Sequence, residues 1–523
     1  MFAVEGKVIK EIDKKAIEDF GIPGLVLMEN ASLRVVEFMQ KHVNLTSQMV
    51  CIIAGKGNNG GDGIAVFRHL WNLGYKPYLI LAFDIKKLSP DAQKQYQIIE
   101  KMEVDSSHLI YSNQKKRILE CMEEADILLD ALFGTGFSGI IREELWQIYE
   151  HYNDSSATKI ALDIPSGLDS NTGLGDTVME SEYTLTLGAP KLGLYLDEKK
   201  RAGEVYLGNI SLPKALLEQY EGKYRIQTTK GISEMIGKRH AQIHKGDAGK
   251  ILMVGGKKGM TGAVYLCAEG AIRSGAGLVS CVVPEQINEI MERKLTEAMT
   301  IPMIGKDGCL GENLADAILE ECNLRDVLIL GPGMGRHDSS IGLVHRLVLE
   351  SKIPMVVDAD ALYLLAYMDS AKIDKNKQMV ITPHEGEAAR LLNWSAAEVK
   401  ANRLGAVKEL YMKYGGVVLL KGSRTLIYDG NELAINSTGN PGMATGGAGD
   451  VLSGMIGALM GQGLDSFSAA KAGAYLHGLA GDLAAREWGE ESMKAGDITS
   501  YIAKAFMSVK QVWESHAFVT KIV

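Results

Sequence analysis

The chain of 523 residues is 46% hydrophobic and 23% charged with only 12 prolines, a globular composition too long for a single core. Its 65 acidic residues outnumber 56 basic ones, and the net charge of −9 leaves no basic footprint for nucleic acid or an acidic membrane. Six cysteines (51, 121, 267, 281, 309 and 322) form no CxxC pair and several lie in apolar runs, so reduced core thiols of a cytoplasmic protein are expected. MFAVEGKVIKEIDKK lacks the apolar core of a signal peptide. No window of about 18 apolar residues is free of charges and glycines, so no membrane-spanning helix is expected.

From the N-terminus, Ile9, Ile12, Ala16, Ile17 and Phe20 keep helical spacing until Gly21 and Pro23 stop the helix. A second helix runs through LMENASLRVVEFMQ. Strands and helices then alternate: VCIIAG, a glycine loop, the helix IAVFRHLWNLG, PYLILAF, a helix from Pro90 to Met102, DILLDALF, a helix over EELWQIYEHY, and KIALDIPSG. Alternation with nearly all-apolar strands predicts a parallel sheet covered on both faces. YTLTLGAPKLGLY and VYLGNISLP read as closing strands of the same domain, residues 1–220, and the charged stretch EGKYRIQTTKG, residues 221–231, as a linker.

In such sheets ligands bind beyond the carboxyl ends of the strands, and three of those ends are chemically loaded. GKGNNGGDG, Gly55 to Gly63, formally matches GxGxxG through Gly55, Gly57 and Gly60, with Asp84 closing the next strand where a ribose-binding acid often lies. Asn58, Asn59 and Asp62 are more polar equipment than a pyrophosphate turn requires. The second end is Asp130 followed by GTGFSG, Gly134 to Gly139, and the third is Asp163 with Ser166. Buried carboxylates and a hydroxyl meeting there are costly unless a cation or a substrate satisfies them. Asn59, Asp130 and Ser166 all offer oxygen, which suits a hard cation better than zinc. The alternative is that these groups cap the following loops.

After the linker, residues 232–523 show the strands KILMVGG, GLVSCVVP, DVLILGPG, PMVVDADAL, QMVITPHEG and GVVLLKG, each followed by a loop and a helical pattern. A second doubly wound domain is predicted, with loaded ends at Met260 to Ala263, Gly331 to Gly335, Asp358 to Leu362, Thr382 to Glu387 and Lys421 to Thr425. Lys421 with Ser423, Arg424 and Thr425 can hold phosphates through charge and hydroxyls, or form a solvated surface turn. His384 can contact a ligand or be a buried ring with a satisfied partner.

The last loaded stretch is NPGMATGGAGDVLSG, Asn440 to Gly454, a glycine loop running into an apolar helix. Loop N–H groups and the positive helix end suit a phosphate. Asp450 sits where loop becomes helix, either as the base for a substrate hydroxyl in line with that phosphate or as the helix N-cap.

KGDAGKILMVGG, GPGMG, VVDADAL, ITPHEGEAARLL, VVLLKGSRTLI and NPGMATGGAGDVLSG together resemble the ribokinase-like superfamily, and within it the nucleotide-dependent NAD(P)HX dehydratases. GKGNNGGDG, DALFGTG and ALDIPSGLD resemble the NAD(P)HX epimerase domain, a Rossmann-like three-layer sandwich. The two in this order resemble the fused repair enzyme of bacteria and archaea. The resemblance implies that hydrated NADH and NADPH (NADHX and NADPHX) are the substrates, epimerised by the first half. It implies that the second half dehydrates the S form with ADP, or ATP, as phosphoryl donor, leaving AMP and phosphate when ADP is used.

Carried onto matching motifs, Asn58, Asn59, Gly60, Gly61, Asp62, Gly134, Thr135, Gly136, Phe137, Ser138, Gly139, Ile140 and Asp163 would contact the hydrate, with Asp163 moving protons. Asn59, Asp130 and Ser166 would hold potassium. In the second half Ala263, Gly333, His384 and Asp450 would touch the hydrate. Lys421, Gly422, Ser423, Arg424, Thr425 and Gly449 would hold ADP, accompanied by magnesium. A homo-oligomer is expected. The superfamily's kinases often carry Asn-x-x-Glu where this chain has His384 and Glu387, which favours a dehydratase over a vitamin kinase. A non-catalytic scaffold role for the first half is disfavoured by intact Asn59, Asp130, Asp163 and Ser166.

Overall fold

The computed structural model describes residues 1–137, 139, 141–237, 242, 244–305, 308–510 and 519–521. Two compact units form, one from residues 2–224 with 519–521 and the other from residues 225–510 with Met1. Each is an α/β unit built on its own largely parallel sheet.

The first sheet holds β1 (Val50–Ala54), β2 (Tyr78–Leu81), β3 (Leu109–Tyr111), β4 (Ile127–Ala131), β5 (Thr158–Leu162), β6 (Tyr183–Leu187) and β7 (Glu204–Gly208). Their order, β7-β6-β5-β4-β1-β2-β3, reverses between β4 and β1, and all seven run parallel. Alternate residues of β1 feed two cores. Val50, Ile52 and Ala54 pack with the helices Gly6–Glu18, Gly24–His42 and Asn58–Asn72, whereas Cys51 and Ile53 pack with Lys115–Glu124 and Trp146–Asp154. That period of two, apolar on both faces, makes the three-layer sandwich predicted from the sequence.

The second sheet adds β8 (Tyr224–Ile226), β9 (Lys250–Val254), β10 (Leu278–Pro284), β11 (Met299–Met303), β12 (Val327–Leu330), β13 (Met355–Val357), β14 (Met379–Ile381), β15 (Val417–Leu420), β16 (Leu426–Tyr428) and β17 (Leu433–Ile435). Its order is β11-β10-β9-β12-β13-β14-β15-β16-β17-β8, reversing between β9 and β12, with β15, β16 and β17 antiparallel. The β16–β17 hairpin lies outside the six strands predicted. Its signal is Asp429-Gly430, a turn dipeptide whose aspartate accepts from the N–H groups of Asn431 and Glu432.

Two expectations are corrected. The segment read as a linker carries β8 and the start of the helix Thr229–Met235, so it is structured rather than a free tether. A further strand, β18 (Val519–Lys521), pairs antiparallel with β7, placing Thr520 opposite Leu207. The expected second domain, 232–523, therefore contributes a strand to the first sheet, where it covers the otherwise open edge of β7. All six cysteines are free and buried, as the sequence implied.

The helix Ala448–Gly461, which follows the glycine loop, packs backbone against backbone on the helix Thr261–Arg273. A β-carbon at Gly454 would lie 2.0 Å from the Cys267 carbonyl oxygen, and one at Gly270 2.5 Å from that of Val451. Two buried helices at that separation admit no extra methyl. Gly454→Ala should lower the stability of the second unit by about 1–3 kcal/mol, read as a lower urea midpoint. Gly446→Ala, with nothing within 4 Å of its β-carbon, should move that midpoint little.

Candidate active sites

In the first unit a cavity of about 650 Å³ opens at the carboxyl ends of β1, β4, β5 and β6, beside the strand-order reversal. Its walls include Asn58, Asn59 and Asp62 after β1, Gly134 to Phe137 after β4, Asp163 after β5 and Lys191 after β6. The helix Gly6–Glu18 supplies Asp13 from across the opening. Asn58 and Asn59 are not loop residues. The helix begins at Asn58, so both asparagines and Asp62 stand on its first turns.

Below this wall Asp130 is fully buried and accepts from Leu132 N (3.0 Å), Ser166 N (2.7 Å) and Ser166 Oγ (2.7 Å). Burial pushes its carboxyl up to about 6 despite those donors. Ser166 Oγ accepts from Phe133 N at 2.8 Å, and Asn59 Nδ2 donates to Phe133 O at 3.0 Å. Asn59 Oδ1 is buried without a hydrogen-bond partner among the described residues. A buried orphan acceptor beside a buried carboxylate is what a hard cation would satisfy.

Asp163 occupies a left-handed position, φ +70°, in a tight turn closed by Ile164 N donating to Leu162 O. Such strain in a non-glycine residue clusters at functional sites. Leu187 N donates to its Oδ1 at 3.0 Å, and the buried Lys191 ammonium forms an ion pair with the same oxygen. Lys191 also donates to Leu187 O at 2.8 Å.

In the second unit the strand ends converge on Asp358 at the end of β13. It is buried, takes a salt bridge from Lys421 Nζ at 2.8 Å, and accepts from Ser453 Oγ at 2.6 Å. Burial opposes its charge, but the Lys421 ammonium and these donors prevail and hold its carboxyl below the usual range. The same Nζ lies 3.7 Å from Glu387 Oε2, and burial raises the Glu387 carboxyl. Ala359, next to Asp358, takes φ +52°, so the chain turns sharply before Asp360 accepts from Gly335 N and Arg336 Nε.

Over this pair lies the glycine loop. Gly447, at φ +96°, precedes the helix Ala448–Gly461 and makes no side-chain cap. A β-carbon at Gly449 would sit 3.3 Å from Lys421 Nζ, so only glycine fits there without displacing the ammonium. Asp450 stands in the first turn of the helix, not at its N-cap, and its carboxyl makes no hydrogen bond or ion pair among the described residues. Burial pushes it up to about 7, helped by the charge of Asp358 and opposed by Lys421. The capping alternative is thereby removed. A carboxyl so placed is free to take a proton from a ligand.

The other predicted residues fall as follows. Gly60 and Gly61 pack rather than line the cavity: β-carbons there would meet Gly55 O at 2.0 Å and Met28 Cε at 2.6 Å. Gly139 lines a smaller cleft with Ile141 and Asp176, and Ser138 and Ile140 lie outside the described residues. Asp84 is exposed and caps the turn Ile85–Lys87, and it is not among the residues that line the cavity, although its neighbour Phe83 is. Ala263 and Gly333 touch, a β-carbon at Gly333 lying 3.0 Å from that of Ala263.

His384 is not buried. Its Nδ1 accepts from Gly386 N (3.0 Å) and Glu387 N (3.3 Å), capping the helix Glu385–Leu392, and its Nε2 lies 3.6 Å from Glu387 Oε1. Gly422 to Thr425 form the corner into β16, pinned by buried Arg403 through Ser423 O at 2.7 Å, whereas Lys421 is sequestered beneath the loop rather than displayed on it. Asp13, Lys191 and Ser453 were not singled out from the sequence. Lys191 had a signal, a lone charge inside the apolar run GAPKLGLY.

Residues 24–193 match the family model described as YjeF-related protein N-terminus, and residues 251–504 the one described as NAD(P)H-hydrate dehydratase. The bifunctional NAD(P)H-hydrate repair enzyme of Moorella thermoacetica is 37% identical over 522 residues, 98% of each chain. That of Escherichia coli is 35% identical over 459 residues, 87% of this chain and 84% of that one. An ADP/ATP-dependent NAD(P)H-hydrate dehydratase of Bacillus subtilis gives a TM-score of 0.48 and 25% identity over 55% of this chain and 99% of that one. Among the described residues no helix is long and apolar enough to cross a membrane. With both site-bearing units matched in one order along almost its whole length, the chain belongs to the family of bifunctional NAD(P)H-hydrate repair enzymes.

Proposed function

We propose that this chain repairs hydrated nicotinamide nucleotides. The unit built on residues 1–220 interconverts the two epimers of NADHX and NADPHX. The unit beyond the junction at 221–231 dehydrates the S epimer, using ADP as phosphoryl donor and releasing AMP and phosphate. The observation that carries the reading is Asp450, an unpartnered carboxyl on the first turn of a helix entered through glycines. A ring hydroxyl is a poor leaving group. Asp450 takes its proton as the hydroxyl attacks the terminal phosphate, while N–H groups from Gly446 to Gly449 and the helix end stabilise the charge on the transferring group. The ring nitrogen's electron pair then expels the phosphate.

Lys421 acts from beneath the loop. Its ammonium offsets part of the negative charge of Asp358 and Glu387, and Gly449 lets a phosphate approach it closely. Among the described residues no three acidic, His or Cys side chains gather as a metal cage. Magnesium would be carried on the nucleotide phosphates and neutralise their charge, with Glu387, beside Lys421, the nearby carboxylate. Potassium fits the first unit, where Asn59 Oδ1, Asp130 and Ser166 would hold it and fix the loop Leu132–Phe137 against the helix start at Asn58.

The reading is tested by incubating the protein with hydrated NADH and ADP or ATP while following the return of nicotinamide absorbance. Dehydration should require nucleotide and epimerisation should not; complete dehydration without nucleotide overturns the assignment. Asp450→Asn should lower the dehydration rate about 100-fold or more while leaving epimerisation unchanged. Because burial raises this carboxyl to about 7, the base form is lost as pH falls through that value. The kcat/KM of dehydration should fall below pH about 7, and Asp450→Asn should lose that limb. Asp130→Ala should abolish the gain in melting temperature from potassium over sodium and remove most epimerisation, with dehydration intact.

A further inference from the structure

Four carboxyls, Asp13, Asp62, Asp91 and Asp163, line the cavity of the first unit together with one buried cation, Lys191. Lys191 is committed to Asp163. Asp13 and Asp62 make no side-chain hydrogen bond or ion pair among the described residues, although both lie within electrostatic reach of Asp163 and Lys191. Carboxyls in such a place carry a proton or meet a ligand. Burial pushes the Asp13 carboxyl up to about 6, with Lys191 pulling against the rise and Asp163 adding to it. Burial and the neighbouring acids also hold Asp62 well above the usual range. The cavity thus presents one carboxylate fixed by an ammonium and, from the facing helix, a carboxyl free to give a proton.

The stereocentre of a hydrated nicotinamide is a hemiaminal carbon, bearing a hydroxyl and bonded to the ring nitrogen. We infer that Asp13 is the proton donor that pairs with Asp163 in a ring-opening epimerisation, Lys191 being the residue that positions Asp163. Asp163 takes the hydroxyl proton, the O–H electrons form the carbonyl, and the carbon–nitrogen bond breaks with its pair going to nitrogen, which takes the proton of Asp13. The aldehyde turns over. Nitrogen then attacks its other face, returning a proton to Asp13 while Asp163 returns one to oxygen. No water enters or leaves, and no net proton is consumed. One acid and one base acting together are the minimal requirement for this exchange. Helix Gly6–Glu18, which no glycine-motif argument reaches, thereby becomes part of the active site.

The inference rests on the epimerase reading of the first unit, so the unmodified protein is assayed first; lack of epimerisation there overturns that reading instead. With an active protein, Asp13→Asn should lower kcat for epimerisation about 100-fold or more, with KM for the hydrate changed only a few-fold. Asp13→Glu should recover part of the rate, and Lys191→Met should lower kcat. In water enriched in oxygen-18 the unmodified protein should epimerise without placing the label on the hydroxyl carbon. Near-native kcat in a folded Asp13→Asn overturns the assignment. One labelled oxygen per turnover overturns ring opening, and it does so on the native protein even if the variant is unstable.

Discussion

A parallel sheet covered on both faces has no polar surface of its own. The central strands, β1, β12 and β15 among them, are buried along their whole length, so backbone groups pair along the ladder and charge is admitted only near strand ends, as at Asp130. Polar chemistry is confined to the edge where strands end and loops begin. The order of strands decides where along that edge a ligand can enter, because neighbouring loops part only where the order reverses. In the first sheet this is between β1 and β4, and Asn59, Asp130 and Asp163 lie at or beside it. In the second it is between β9 and β12, next to Asp358 at the end of β13.

Both sites solve the resulting electrostatic problem in the same way. A single lysine is held against one aspartate: buried Lys191 on Asp163, half-buried Lys421 on Asp358. A second aspartate nearby has no such partner, Asp13 in one case and Asp450 in the other, and burial raises its carboxyl to about 6 and about 7 respectively. Neighbouring carboxyls cannot all ionise in a poorly solvated pocket, so pairing one with a cation separates the roles of anion and proton carrier. Removing either lysine would leave an uncompensated buried charge.

Much of this was legible in the residues. Uninterrupted apolar runs between glycine-rich loops announced parallel strands, and the oxygen-bearing residues at their ends announced the sites. Short edge strands were not legible: β3 has three residues, and β11 carries Pro302 on the outermost edge, where proline is tolerated. The helix start at Asn58 was hidden because glycine at 60, 61 and 63 reads as loop, although close packing on Gly55, Ala92 and Ala131 is what demands it. Asp13 was invisible for another reason. It lies four residues after Ile9 and three before Ala16, inside the apolar stripe of its helix, and a single acid there gives no hint of the partners that the fold brings beside it. Lys421 was read as a phosphate ligand at a strand end, but its pairing with Asp358 was not legible, because one strand's end reveals nothing of what the next will bring beside it.

The strand β18 also bears on how the protein is made. The sheet of the first unit is assembled from residues 50–208 except for this strand, whose partner β7 precedes it by some three hundred residues of chain. During synthesis at roughly 5–20 residues per second, the edge of β7 must wait tens of seconds, uncovered, while the entire second unit is translated and folds. Over that interval the nascent first unit exposes a pairing-competent edge to other chains on the same message. A premature stop late in the second unit would leave that edge open permanently.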